Sequence, residues 1–115
     1  MTPDEIKAHC LSLPDAACSL KWGDDHCYTI AEKMFCAHGP DGKGLSFKCT
    51  PDAFEMLVES GVAEPAKYLA RAKWVTVQVE AVPDDELKAR LTQAYTIVRS
   101  KLPKKTQSLL APFEP

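Results

Sequence analysis

The chain has 115 residues, of which 45% are hydrophobic and 26% charged, a composition that excludes a disordered or fibrous protein. This length allows one hydrophobic core, and no apolar run approaches the roughly 20 residues of a membrane helix, so we expect one cytoplasmic domain without a membrane role. The net charge of −2 divides unevenly, with −6 in residues 1–64 and +4 in residues 65–115, which favours the second half for contact with a polyanion.

The first predicted element is a helix of about residues 3–13. Thr2 can cap the free amide groups of the first turn, Pro3 suits the first helical position, and Glu5 completes a capping box. Apolar residues then recur at helical spacing as far as Pro14, which disfavours helical geometry at the residue before it. The pattern therefore predicts a short helix with one apolar face.

Four strands are predicted next, at about residues 19–22, 27–31, 34–37 and 45–49. Short segments with turn-forming or charged residues separate them, and the last strand alternates apolar and polar residues, as in a sheet with one buried face. These connections are too short for parallel crossovers. We therefore expect antiparallel hairpins.

The second half opens with a predicted helix from Pro51 to about Ser60, ended by Gly61 in a left-handed conformation. A strand at residues 75–79 follows, and then the longest helix, which begins at Asp84 with three carboxylates in its first turn. The apolar residues of that helix form a continuous stripe that must cover a sheet. They are Leu87, Leu91, Ala94, Tyr95, Val98 and Leu102.

The element order is helix, four strands, helix, strand, helix. This order predicts an α+β fold, an antiparallel sheet of about five strands with three helices. Residues 1–105 form the single predicted domain. Residues 106–115 contain two prolines and no helical period, and are predicted to be a C-terminal tail.

No pattern of catalytic or metal-binding residues is present. The five cysteines are odd in number and never form a C-x-x-C pair, which is typical of buried apolar thiols rather than of a disulfide framework or a zinc site. The three histidines stand alone, and no nucleophile motif or phosphate-binding glycine loop occurs. The acidic residues of the first helix are too few for an iron site. We predict a protein that is not an enzyme and has no metal or cofactor.

Six short segments, taken in order and spacing, resemble the MmcQ/YjbR family of small bacterial proteins. They read KMFCA at 33–37, LSFKC at 45–49 followed by Pro51, PAKYLARAKWV at 65–75, DDEL at 84–87, AY at 94–95 with Val98, and KLPKK at 101–105. The resemblance implies a frataxin-like or double-wing α+β fold, and it implies DNA binding, a role given to the family from fold similarity. Many members have Asn-Lys-x-His-Trp where residues 70–74 stand here, so a role of that Asn or His does not carry over.

Two basic runs in the second half predict a nucleic-acid interface, because cationic side chains neutralise phosphates. One lies in the 65–74 segment, where Tyr68 and Trp74 are interleaved with the cations and can stack on bases if exposed. The other lies at the end of the last helix. The predicted site residues are Lys67, Tyr68, Arg71, Lys73, Arg99, Lys101, Lys104 and Lys105. An isoelectric point of 5.9 indicates weak, salt-dependent DNA binding.

Two alternatives compete with this interpretation. Cations at the end of a helix also complement its dipole, and Trp74 can be packed at the start of a strand. The exposed sheet face, or the cleft between the last helix and the 65–73 segment, is also compatible with a module that binds a protein or a small ligand and has no nucleic-acid role.

Overall fold

Six strands and four α-helices make up the part of the chain described by the computed structural model, residues 1–21 and 23–114. In chain order they are α1 (Pro3–Ser12), β1 (Ala16–Lys21), β2 (Asp25–Ile30), β3 (Lys33–His38), β4 (Gly44–Lys48), α2 (Pro51–Glu59), β5 (Ala63–Pro65), β6 (Trp74–Gln78), α3 (Asp84–Ser100) and α4 (Lys104–Ser108). Short 3₁₀ turns, Ala70–Ala72 and Val79–Ala81, flank β6. Trp22, in the first predicted strand, and Pro115, in the predicted tail, lie outside the described residues.

The predicted α+β class is confirmed, but the sheet has six strands instead of five and there are four helices instead of three. The additional strand, β5, has three residues and includes Pro65, so it is too short to show an alternating pattern. The additional helix, α4, has five residues and runs across the predicted boundary between residues 105 and 106. Both additional elements are too short for a repeating apolar pattern to be recognised.

The starts of α1 and α2 follow from side-chain caps. The Thr2 hydroxyl accepts a hydrogen bond from the Glu5 amide, and the Glu5 carboxylate accepts one from the Thr2 amide. The predicted capping box is therefore confirmed. Thr50 caps α2 in the same way by accepting from the Ala53 amide. At the other end of α2, Gly61 has a φ of +81° and its amide donates to the Val58 carbonyl, which confirms the predicted left-handed terminator.

All strands pair antiparallel, in the spatial order β1-β2-β3-β4-β6-β5. The turn between β2 and β3 consists of Ala31 and Glu32, which both have positive φ, as a tight two-residue hairpin turn requires. The β3 and β4 strands join through residues 39–43, and β6 returns to pair beside β4. Strands β1 to β4 therefore form a meander, and β6, the last strand in the chain, lies between β4 and β5 and is followed by α3.

A β-bulge in β3 decides which side chains face each side of the sheet. Met34 pairs with Thr29 and Cys36 with Tyr28, so Phe35 is an extra residue without a partner. Phe35 is fully buried and packs edge to face against Tyr95 of α3, with ring centroids 5.5 Å apart. Because of the bulge, Met34 and Ala37 both lie on the opposite face.

Helices α1, α2 and α3 cover one face of the sheet and enclose the core. Leu45 and Phe47 of β4, with Val75 and Val77 of β6, face these helices and are at most 2% exposed. The apolar stripe predicted for α3 is buried against them. Residues that alternate with these core positions face the other side, which we call the outer face. Among the described residues, no helix has both the length and the apolar composition needed to cross a membrane.

Candidate nucleic-acid interface

The outer face of the sheet is covered in part by the loop of residues 66–73. The Ala66 amide donates to the Trp74 carbonyl at 3.0 Å, and the Cys49 amide donates to the Lys73 carbonyl at 2.9 Å. Within the loop, Lys73 has a φ of +63° and ends the 3₁₀ turn, so the chain reverses into β6. Both ends of the loop are therefore fixed by the backbone of the neighbouring strands.

A cavity of about 580 Å³ lies between this loop and the sheet. Its floor includes Met34 and Ala37 of β3, together with Ser46 and Thr76, which face each other across β4 and β6. The two hydroxyl groups are 2.8 Å apart and share a hydrogen bond. The loop side of the cavity consists of residues 66–69. The floor is thus mainly apolar with one polar pair, as in many small-molecule sites.

Tyr68 stands at the mouth of this cavity. Its side chain is 93% exposed, and its backbone has a φ of +67°, a left-handed conformation that is rare for a bulky residue. The Lys67 ammonium lies 5.7 Å from the centroid of the Tyr68 ring. Trp74, the other aromatic residue of the cavity, is 4% exposed and forms part of its wall. The loop therefore presents one free aromatic ring beside one packed aromatic ring.

A second concave region, of about 260 Å³, adjoins the cavity and shares Met34 and Trp74 with it. Lys33 from the start of β3, Lys48 from the end of β4 and Lys101 from the end of α3 line it. We call this region the lysine groove. Of its described lining residues, three are lysines and none is acidic, and the remainder are apolar.

Two of these ammonium groups, those of Lys48 and Lys101, are close enough to affect one another. Burial lowers the pKa of the Lys48 ammonium, and the positive charge of Lys101 lowers it further. Lys48 Nζ also donates to the Ala72 carbonyl at 2.7 Å, which holds the side chain against the loop. The groove is therefore a site of concentrated positive charge, where a bound anion relieves the repulsion between lysines.

The cavity has a different charge balance from the groove. Asp25, at the start of β2, lines the cavity together with Lys67. Glu64 of β5 pairs with Thr76 of β6 and so lies on the same outer face, at the edge of the sheet. An anionic group is therefore better accommodated in the groove than in the cavity.

The structure brings together some of the predicted interface residues. Lys67 and Tyr68 line the cavity, and Lys101 lines the groove. Lys104 and Lys105 are exposed at the start of α4, directly after Pro103 of the groove wall.

The other three predicted residues lie in separate environments. Arg71 is exposed in the 3₁₀ turn. Lys73 is half-buried, with its ammonium 5.0 Å from the centroid of the Phe54 ring. Arg99 donates to the Tyr95 hydroxyl and to the Ala111 carbonyl, so its guanidinium holds the C-terminal residues against α3. The Arg99 guanidinium therefore makes its hydrogen bonds to groups of the protein itself.

Lys33 and Lys48 are the groove residues that the sequence interpretation missed. They belong to the half of the chain with net negative charge, and each is an isolated lysine within a strand. One signal was available for Lys48, because the alternation of Leu45, Ser46 and Phe47 assigns it to the polar face. Its proximity to Lys101 depends on the tertiary fold.

Comparison with known proteins agrees with this architecture. A family model described as YjbR matches residues 11–97. The crystal structure of the Deinococcus radiodurans protein DR2400, which carries the domain DUF419, superimposes with a TM-score of 0.84 at 24% sequence identity, covering 93% of this chain and 86% of that one. No functionally curated protein matches the chain.

Proposed function

The chain belongs to the YjbR family, as its sequence predicted, and from that premise we propose that it is a non-enzymatic protein that binds nucleic acid weakly through the lysine groove. Fold similarity alone does not establish a function, so the proposal rests on the site. The observation that carries it is the convergence of Lys33, Lys48 and Lys101 on one groove without an acidic lining residue.

The physical basis is neutralisation of backbone phosphates. Each phosphate that contacts a lysine releases condensed counterions, which favours binding irrespective of base sequence. Burial and the positive charge of Lys101 lower the pKa of Lys48, and phosphates that contact these lysines offset the repulsion between the two ammonium groups. Lys67, Lys104 and Lys105 are exposed near this region and extend the cationic surface. The overall charge of −2 keeps the interaction weak.

The non-enzymatic part of the proposal rests on the composition of the cavity. Its described lining contains neither His nor Cys, which are the usual partners in nucleophile and base pairs. Asp25 and Lys67 are its charged residues. They favour binding by charge and hydrogen bonding rather than covalent catalysis.

A charge-removal series tests the proposal. We expect Lys48→Ala and Lys101→Ala each to weaken binding of a fluorescently labelled duplex by roughly tenfold at low salt, because each removes one phosphate contact. The measurement is fluorescence anisotropy. Lys7→Ala is the matched control, since Lys7 is an exposed lysine on α1 and is not among the described residues that line the cavity or the groove. Absence of binding to the wild-type protein, or an equal loss in the Lys7 variant, would contradict the proposal.

A module for a small ligand is the second candidate. It is favoured by the volume of the cavity, about 580 Å³, which lies within the usual range of small-molecule sites. It differs from the first candidate in a measurable way. If the cavity alone binds a small ligand, Lys48→Ala and Lys101→Ala leave the affinity for that ligand unchanged.

A further inference from the structure

We propose that the cavity accepts one unstacked nucleobase while the phosphate of that nucleotide lies in the lysine groove, so that the protein prefers single-stranded to duplex nucleic acid. The inference rests on the proposed function and adds the class of nucleic acid. It is based on the position of the cavity beside the groove, with Met34 and Trp74 as their common wall.

The spacing of the two regions fits a nucleotide. Ser46 in the cavity floor and Lys48 in the groove are two residues apart on the same face of β4. The Cα atoms of residues two apart in a strand are separated by about 7 Å. This is the order of distance over which a sugar joins a base to its phosphate, so one nucleotide spans both regions without distortion of the sheet.

The aromatic residues supply the contact expected for a flat ring. Tyr68 offers a 93% exposed ring at the cavity mouth, and Trp74, Met34 and Leu69 provide apolar surface within the cavity. Bases stack on aromatic side chains regardless of sequence, because every base has a π-face. Tyr68 combines this exposure with a left-handed backbone conformation, a strained state that is found preferentially at functional sites.

The polar groups determine the direction in which the nucleotide lies. Ser46 and Thr76 bond to each other, which leaves one hydroxyl proton and free lone pairs for the edge of a base. The Asp25 carboxylate accepts from an exocyclic amino group and repels a phosphate. The three lysines of the groove attract that phosphate instead. Base in the cavity and phosphate in the groove is therefore the favoured orientation.

Duplex nucleic acid satisfies only half of this arrangement. Its phosphates can contact the groove, but its bases are paired and stacked, and moving one into the cavity costs a few kcal/mol of unpairing. A single strand does not incur that cost. We therefore expect a strand to bind about tenfold or more tightly than a duplex of the same length.

The test compares labelled single strands and duplexes by fluorescence anisotropy with the full chain. We expect Tyr68→Ala to weaken binding of the strand about five- to hundredfold, the range for loss of one stacked base, and to leave duplex binding unchanged. Tyr68→Phe retains the ring and should bind as the wild type does. Leu20→Ala, which removes another exposed apolar side chain, 63% exposed on β1, is the matched control. Ala37→Leu, which fills the cavity floor, should weaken strand binding alone.

The outcomes separate this inference from the proposed function. If Lys48→Ala weakens binding but strand and duplex bind equally, or Tyr68→Ala affects both equally, the base site is refuted and the groove remains. If neither nucleic acid binds to the wild-type protein, the proposed function fails as well. A free mononucleotide that fails to displace the strand even in large excess would contradict the placement of one nucleotide across the cavity and the groove.

Discussion

Two cations that are two residues apart, Arg99 and Lys101, have opposite surroundings. The Arg99 guanidinium bonds to the Tyr95 hydroxyl at 2.7 Å and lies beside the packed Tyr95 and Phe113 rings, within 6 Å of each centroid. Lys101 lines the groove with its ammonium available. One cation therefore stabilises the fold, and the other belongs to the proposed interface. Charge at a sequence position does not distinguish these roles, because the Ala111 carbonyl that Arg99 contacts belongs to the C-terminal residues, which only the tertiary fold places beside α3.

His38 is a buried polar residue whose protonation state follows from its partners. Its Nδ1 lies 2.8 Å from the Gly39 carbonyl, which can only accept, so Nδ1 carries the proton. Its Nε2 then accepts from the Tyr28 hydroxyl at 2.9 Å. His26 stacks on the ring at 5.0 Å. Burial lowers the pKa of His38, and the nearby His26 lowers it further, while the bond to Gly39 opposes the change. The neutral imidazole is therefore the folded form.

This arrangement predicts an acid-sensitive stability. Because the unfolded imidazole has a pKa near 6.5 and the folded one a lower pKa, the unfolded chain binds the proton first as pH falls. The stabilisation that the neutral His38 contributes to the folded state is complete above about pH 6.5. It is lost as pH falls through that value towards the folded pKa. We expect the free energy of unfolding, measured by urea denaturation, to decrease from about pH 7.5 to 5.5.

A histidine variant provides the control for this pH effect. His38→Gln should flatten part of the dependence, and His9, whose pKa is also lowered by burial, accounts for a further part that His9→Gln removes. Stability that is constant or increases towards acid in the wild-type protein would contradict the assignment of a neutral His38.

At the scale of elements, the turn between β3 and β4 is tied to the start of α1 by the absence of a side chain at Gly42. This residue has a φ of +64°, and a Cβ atom there would overlap Pro3 Cγ. Gly61, after α2, has a similar φ of +81° with open space around its Cα. Both glycines therefore adopt a left-handed backbone conformation, and only Gly42 also has a neighbour, Pro3, in the space that a side chain would occupy.

The two glycines therefore form a matched pair for a stability measurement. Gly61→Ala should cost about 1–2 kcal/mol, the usual penalty for a side chain in the left-handed region. Gly42→Ala should cost about 1–3 kcal/mol more, because the turn or α1 must move to accommodate the added methyl group. Chemical denaturation of both variants measures the difference. Equal losses would show that the turn does not depend on its contact with Pro3.

The elements that could be predicted from the sequence are those with local signals. Thr2 and Thr50 mark helix starts through caps that reach only three residues, and Gly61 marks an end through its own backbone angle. In β5 no local signal exists, since its three residues form a strand only by pairing with β6. The bulge at Phe35 likewise depends on the partner strand, so its effect on the cavity floor could not be predicted.

For the whole molecule, the division of charge along the sequence does not persist in three dimensions. Lys33 and Lys48 belong to the half with a net charge of −6, and they meet Lys101 from the half with +4. The sequence interpretation placed the interface in the second half alone, and of its residues Lys67 and Tyr68 line the cavity and Lys101 lines the groove. Predicting the remaining residues of the groove requires the order of strands in the sheet. That order places the start of β3, the end of β4 and the start of β6 side by side.

The dependence of duplex binding on salt tests the central claim most directly. Three lysines in contact with phosphates predict that the logarithm of the association constant falls with the logarithm of salt concentration with a slope of about −3. Lys48→Ala should reduce this slope to about −2, and Lys7→Ala should leave it unchanged. Binding that is independent of salt, or a slope that Lys48→Ala does not alter, would contradict recognition of nucleic acid through the lysine groove.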